Sequence, residues 1–395
     1  MLSYAHCIRE DPVRRGLLYL GTENAIYVSV GDGESWQPLQ ANMPHAPVYW
    51  LMVQEHFNDL VIATYGRGFW ILDDITPLQQ FTAQVAATDV HLFAPRPAYR
   101  FREITPPASL ANDPATGDNP PYGASINYFL KSEPAGEVAI TILNPEGTVV
   151  RRLRGPKSAG LNRVHWDLRY EPTREVRLRT PPLYVPDVTF SPDGTRSAPG
   201  AGRLSILAPP GTYTVQVSVR GKQFTQTLEV RKDPNSGGSD ADIQQQMKVL
   251  TEIAAGIDQA ADMINRLELV RSQIAYLSRI IPDQEIRKGG DELDRKLVDL
   301  ETNLIEVRMT GQGQDGVRWG AKLQGKLVYL ANGLMSGDFG PTAQQLEVQK
   351  VLEGRLRSLA SDLETLFTRD VGAFNEQLRA RNLPTIVTQV GRSAS

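Results

Sequence analysis

Hydrophobic spacing changes once along this 395-residue chain, close to Ser239. Before that point apolar residues come in short continuous runs or strict alternation, the patterns of strands. After it they recur three and four residues apart, which places them on one face of a helix. The two patterns thus occupy separate stretches of the chain. Such a chain must build its β and α parts apart.

Within residues 1–85 the apolar runs are Leu17–Leu20, Ala25–Val28, Val48–Val53, Leu60–Ala63 and Phe69–Leu72. Turn residues such as Gly31-Asp32-Gly33 and Asn58-Asp59 separate them. Groups of four such strands have the length of propeller blades, with room here for one blade and part of another. In residues 86–232, Val138–Ile142 alternates, turns at Asn144–Gly147 and returns through Thr148–Val150. Tyr213, Val215, Val217 and Val219 alternate with polar residues, and Arg220-Gly221-Lys222 turns that strand into Phe224–Val230. With the Trp-bearing segment Arg163–Leu168, these hairpins predict an Ig-like β-sandwich. Residues 171–203, rich in Pro and Gly, read as a long loop inserted in it.

Ser239 followed by Asp242 is a helix N-cap signal, and Pro282 stops the helix that it starts. Further stripes run through Leu293–Leu304, Trp319–Leu334 and Leu346–Leu378, with Leu359 in the middle of the last. One apolar stripe per helix predicts an antiparallel helical bundle over 239–384, with a tail at 385–395. The expected fold class is therefore multidomain β plus α: partial β-propeller blades, an Ig-like sandwich and a C-terminal bundle.

Charge steps at nearly the same places. Residues 1–85 hold 4 basic and 9 acidic residues, 86–239 hold 19 and 14, and 240–395 hold 19 and 22. The near-balance overall, net -3, argues against a nucleic-acid partner. No apolar run approaches a membrane span, and the first residues do not read as a signal peptide. A single cysteine, Cys7, and five scattered histidines predict neither a disulfide framework nor a metal site, and no motif calls for a cofactor.

Ser29-Val30-Gly31-Asp32-Gly33-Glu34-Ser35-Trp36 resembles an Asp-box, the hairpin motif Ser-x-Asp-x-Gly-x-Thr-Trp. Ser29, Asp32, Gly33, Ser35 and Trp36 carry the likeness, with Asp32 shifted by one position. The expected role is structural: the carboxylate accepts turn N–H groups and the indole packs between blades. Together with Ala63–Leu78, Gly160–Tyr170, Pro209–Val215 and Arg231–Pro234, the motif resembles the C-terminal region of bacterial BNR-repeat, sortilin-like glycosyl-hydrolase-type propeller proteins. That resemblance implies an exported protein, periplasmic or secreted. It also implies a missing propeller portion, in cis or in trans, because residues 4–12 look like the middle of a blade.

Candidate ligand-binding residues are Tyr65, Arg67 and Trp50. Glycines on both sides of Arg67 let the guanidinium project toward an anionic group, and exposed aromatic rings stack on sugars. Trp36, Trp50, Trp70 and Trp166 are otherwise expected in the core. Asp73 and Asp74 follow a strand, but adjacent strand residues face opposite ways and make a poor glycosidase pair. They are expected to turn and cap the chain before Pro77. A basic run from Arg151 to Arg179 suits an anionic polymer, the acidic first unit or plain solvent. No residue is assigned a catalytic role. The expectation is a non-catalytic scaffold that binds carbohydrate or protein. The alternative is part of a glycoside hydrolase whose carboxylates lie in an upstream propeller.

Overall fold

The computed structural model describes residues 3–102 and 117–389. The chain is mixed β and α, with several sheets and a helical C-terminal part. It divides into two compact units: residues 1–170 with 207–235, and residues 171–206 with 236–395.

In the first unit, β1 (Ala5–Glu10), β2 (Leu18–Thr22), β3 (Ile26–Ser29) and β4 (Gln37–Pro38) form an antiparallel meander. A second meander contains β5 (Val48–Gln54), β6 (Asp59–Thr64) and β7 (Phe69–Leu72). Leu17, Tyr19, Ile26, Val48, Leu51, Leu60 and Ile75 form one core between the two meanders. Two short helices follow, α1 (Thr76–Gln80) and α2 (Ala83–Ala87), the latter capped by Thr82.

Next come β8 (Val90–Leu92), β9 (Ala98–Arg100), β10 (Ala124–Leu130), β11 (Val138–Leu143), β12 (Val149–Gly155) and β13 (Gly160–Trp166). The chain then runs through residues 171–206, which carry the short β14 (Arg177–Leu178) and β15 (Arg196–Ser197), before β16 (Gly211–Val219) and β17 (Lys222–Lys232). One sheet has the order β12-β11-β16-β17-β9 and another the order β13-β10-β8. Their inward residues share a core built on Ile126, Tyr128, Ile140, Trp166, Tyr213 and Val217. The alternation in Tyr213–Val219 keeps every second residue of β16 buried, as half-buried strands require.

The second unit is built on α3 (Asp240–Ile280), 41 residues long. A capping box pairs Ser239 with Asp242, and the helix stops where Ile281 turns extended ahead of Pro282. Around it lie α4 (Gln284–Leu304), the single turn α5 (Asp315–Arg318), α6 (Leu323–Leu334), α7 (Ala343–Leu366) and α8 (Gly372–Arg379). A π-turn over Phe367–Val371 joins the last two. Two expectations need correction. The third helical stripe begins at Leu323, and Trp319 lies outside it, beneath the Arg308 guanidinium at 3.7 Å. Leu359 is only half-buried, whereas Leu356 and Leu363 are buried.

Residues 171–203, expected as a loop inserted in the sandwich, belong with 204–206 to the helical unit. The reason lies in their main chain. Arg174 N donates to Asp258 Oδ1 (2.6 Å), Arg177 N to Asn265 Oδ1 (2.8 Å) and Thr180 N to Glu268 Oε2 (2.8 Å). A polar row along α3 thus supplies the acceptors that an irregular segment lacks.

Candidate functional site

The hairpin expected as an Asp-box is held differently from that expectation. Ser29 is buried, and its Oγ accepts from Gly33 N at 2.9 Å and Gly31 N at 3.4 Å. Asp32 is exposed with φ +53, and its own N–H donates to Gly16 O. A hydroxyl two residues before the turn therefore takes the role assigned to the carboxylate. Gly33, at φ +86, allows the left-handed turn, and Ser35 is exposed. Trp36 is half-buried beside Gly33.

Trp50 is not a core residue. It is 55% exposed, with the Arg9 guanidinium 4.1 Å from its ring centroid. The registers explain why. Trp50 pairs with Ala63, which pairs with Phe69. Met52 pairs with Val61, which pairs with Ile71. These six residues line one face of the β5–β7 sheet, opposite the face that carries Leu51, Leu60 and Ile62 into the core. Met52 is 54% exposed, Phe69 79% and Ile71 59%. Strands that are apolar on both faces are ordinarily covered on both.

Tyr65 stands at one end of an aromatic string. Its ring is 5.9 Å from Tyr49, which stacks on His6 at 4.2 Å. Arg67 is exposed in the following turn, which Trp70 Nε1 fastens by donating to Arg67 O at 3.0 Å. Trp50 and Tyr65 are thus both exposed, Trp50 beneath Arg9 and Tyr65 beside Tyr49, and Arg67 contacts neither of them through a described bond. The basic run divides between the two units. Arg163 is built into the first unit, while Arg174 and Arg177 pair with Asp262 and Glu175 in the second.

Asp73 and Asp74 part company after β7. Asp74 is buried at φ +52. Its Oδ1 accepts from Thr76 N at 3.2 Å, a turn bond into α1, whose N-cap position is Ile75 with no side-chain cap, and its Oδ2 accepts from Ser125 Oγ (2.7 Å) and Asn127 Nδ2 (3.1 Å). Its N–H donates to Asp59 Oδ1 at 2.8 Å. Arg163 closes the arrangement: Nε donates to Asn127 Oδ1, and the two terminal nitrogens donate to Asp73 O (2.7 Å) and Asp74 O (2.6 Å). A planar guanidinium suits such a fork.

The Asp73 side chain makes no hydrogen bond among the described residues. Burial, and then the neighbouring Asp59, push its carboxyl above the ordinary range. It lines a cavity of about 320 Å³ together with Asp59, Arg96, Tyr99, Phe101 and His165. Burial, followed by Arg163, lowers the basicity of His165. The residues that the sequence reading missed are Ser125, Asn127, Arg163 and His165. They lie on adjacent strands as the pairs Ser125↔His165 and Asn127↔Arg163. Their signal is a polar residue at every second position over Ser125–Asn127 and Arg163–His165, next to the apolar pair Phe129 and Leu161 on the same face. A polar row on one sheet face reads as solvent-facing until something covers it.

Among the described residues no helix is long and apolar enough to cross a membrane, and no three His, Cys, Asp or Glu side chains are grouped to hold a metal ion. No protein-family model matches the chain, and no curated protein is detectably similar to it in sequence.

Proposed function

We propose that this chain is a non-catalytic interaction region, the C-terminal part of an exported protein of the BNR-repeat, sortilin-like propeller kind. In this reading residues 1–85 are the end of a β-propeller, 86–232 an Ig-like sandwich and 239–384 a helical bundle. The observation that carries it is the bare face of the β5–β7 sheet. Trp50, Met52, Phe69 and Ile71 together leave on the order of 500 Å² of apolar surface open, counting ~150–250 Å² per whole large side chain. That is at the upper end for a single patch on a free monomer. The opposite face of the same sheet packs on another antiparallel meander. The occupant that suits the bare face is therefore a further β-sheet with an apolar face, supplied by the remainder of the propeller. In the isolated chain the same face of a second copy takes its place.

Sedimentation velocity on the wild type and on Phe69→Glu tests this. The wild type should self-associate as its concentration rises. Phe69→Glu should sediment as a monomer with unchanged circular dichroism, because its side chain already lies in solvent. A wild type that stays monomeric at the highest attainable concentration removes the docking face. Turnover of sialosides or β-glucans by the purified chain overturns the non-catalytic part of the reading.

A further inference from the structure

The cavity beside Asp73 is a built feature. Arg163 clamps the Asp73 and Asp74 carbonyls. Asp74 spends its carboxylate on Thr76, Ser125 and Asn127. Asp59 spends one oxygen on Asp74 N. What remains is the Asp73 carboxylate, held on a fixed main chain with no hydrogen-bond donor of its own among the described residues.

The nearby cations are committed elsewhere. Arg96 donates to Phe57 O at 2.6 Å, lies 5.3 Å from the Phe57 ring centroid and stands 3.9 Å from Asp74. Arg163 has every nitrogen type engaged, in the fork and on Asn127. Among the described residues three carboxylates, Asp59, Asp73 and Asp74, stand near two guanidinium groups, Arg163 and Arg96, which act on Asp73 only through space and leave one negative charge in excess. The other wall is aromatic. Tyr99 and Phe101 stack at 5.3 Å, and both line the hollow. A π face beside a carboxylate without a hydrogen-bond donor attracts a cation that also carries an apolar stem. The hollow is at the small end of ligand sites, which limits the guest to a few heavy atoms beyond its charged head.

We propose that this cavity binds a primary ammonium group on a short apolar stem, with Asp73 as its counter-ion and the Tyr99–Phe101 pair as its wall. The same chemistry belongs to a free alkylamine and to a lysine side chain.

Isothermal titration calorimetry on the full chain decides it, with n-butylammonium, n-butanol, Nα-acetyl-lysine N-methylamide and methyl β-glucoside as probes. The expected result is saturable n-butylammonium binding at least about tenfold tighter than n-butanol, lost by about tenfold in Asp73→Asn. Asp73 accepts no hydrogen bond among the described residues, so that variant should keep its melting temperature. Should it nevertheless unfold, the wild-type thermal shift serves in its place: n-butylammonium raises the melting temperature and n-butanol at equal concentration does not. A lysine amide tighter than n-butylammonium assigns the site to a protein side chain, and the reverse order to a free amine. Both orders support the proposal. Equal affinity for amine and alcohol, tighter binding of the glucoside, no binding of any probe, or a folded Asp73→Asn that binds as before would each overturn it.

Discussion

The carbonyl oxygen of Trp166 lies 1.9 Å from where a Cβ on Gly123 would stand. Gly123 sits at φ +116, immediately before β10 pairs Ala124 with Trp166. The obstacle is main chain of the neighbouring strand, and it cannot rotate away. Gly123→Ala should therefore cost about 3 kcal/mol or more, by forcing β10 from β13 or the residue out of its conformation. Thermal melting of the variant checks it. A loss below about 1 kcal/mol would mean that the strand start shifts freely.

Arg163→Lys should show what the fork contributes. A lysine ammonium is a point charge and cannot span two carbonyls and the Asn127 oxygen at once. The expected loss is about 1.5–3 kcal/mol, the range for hydrogen bonds from a charged donor. Arg163→Met removes the charge as well. The His165 pKa should then rise by NMR titration yet stay below its ordinary value, because burial is the larger cause of its depression and persists.

Glu301 makes the second unit sensitive to pH. Burial, and then Glu268, push its carboxyl well above the ordinary value near 4.5. Arg271 binds Glu268 and Glu301 at 2.8 Å each and Thr180 Oγ1 at 3.0 Å. Among the described residues Glu301 Oε1 has no partner unless it carries a proton, which it can donate to Glu268. With the folded pKa above the unfolded one, the stabilising contribution is complete below about pH 4.5. It is lost as pH rises toward the folded pKa, by up to about 1.4 kcal/mol per pH unit. Glu301→Gln keeps a neutral donor and acceptor in place. It should flatten the dependence of the melting temperature on pH in that window, and an unchanged slope would place the titration elsewhere.

Leu356→Asp and Leu359→Asp should separate the inner from the outer edge of the last apolar stripe. Leu356 is 4% exposed, so a carboxylate there costs several kcal/mol, enough to unfold a unit whose whole stability is ~5–15 kcal/mol. Leu359 is half-buried in a groove with Lys322, Lys326 and Arg355. An aspartate at that position meets three cations and should cost about 1 kcal/mol or less. Equal unfolding in urea would show that the groove closes in solution.

Local physics determined much of this molecule directly from the sequence. The break at Ser239, the stop at Pro282, the hairpin at Arg220-Gly221-Lys222 and the alternation of Tyr213–Val219 all depend on residues within a turn or two of one another. The turn that Asp74 makes ahead of Pro77 was legible for the same reason, whereas its expected cap was not made: Ile75 holds the N-cap position of α1 without a side-chain bond. The tertiary structure alone decided which polar face is covered. Ser125, Asn127, Arg163 and His165 alternate as solvent-facing residues do, and only the return of Asp73–Asp74 onto that sheet makes them a clamp. It also decided that residues 171–206 join the helices, because their main chain takes its acceptors from Asp258, Asn265 and Glu268, some 84 to 89 positions away. Trp50 shows the opposite outcome. An apolar run is buried only if something lies against both faces of its strand, and that is a property of the neighbours, which no local spacing encodes.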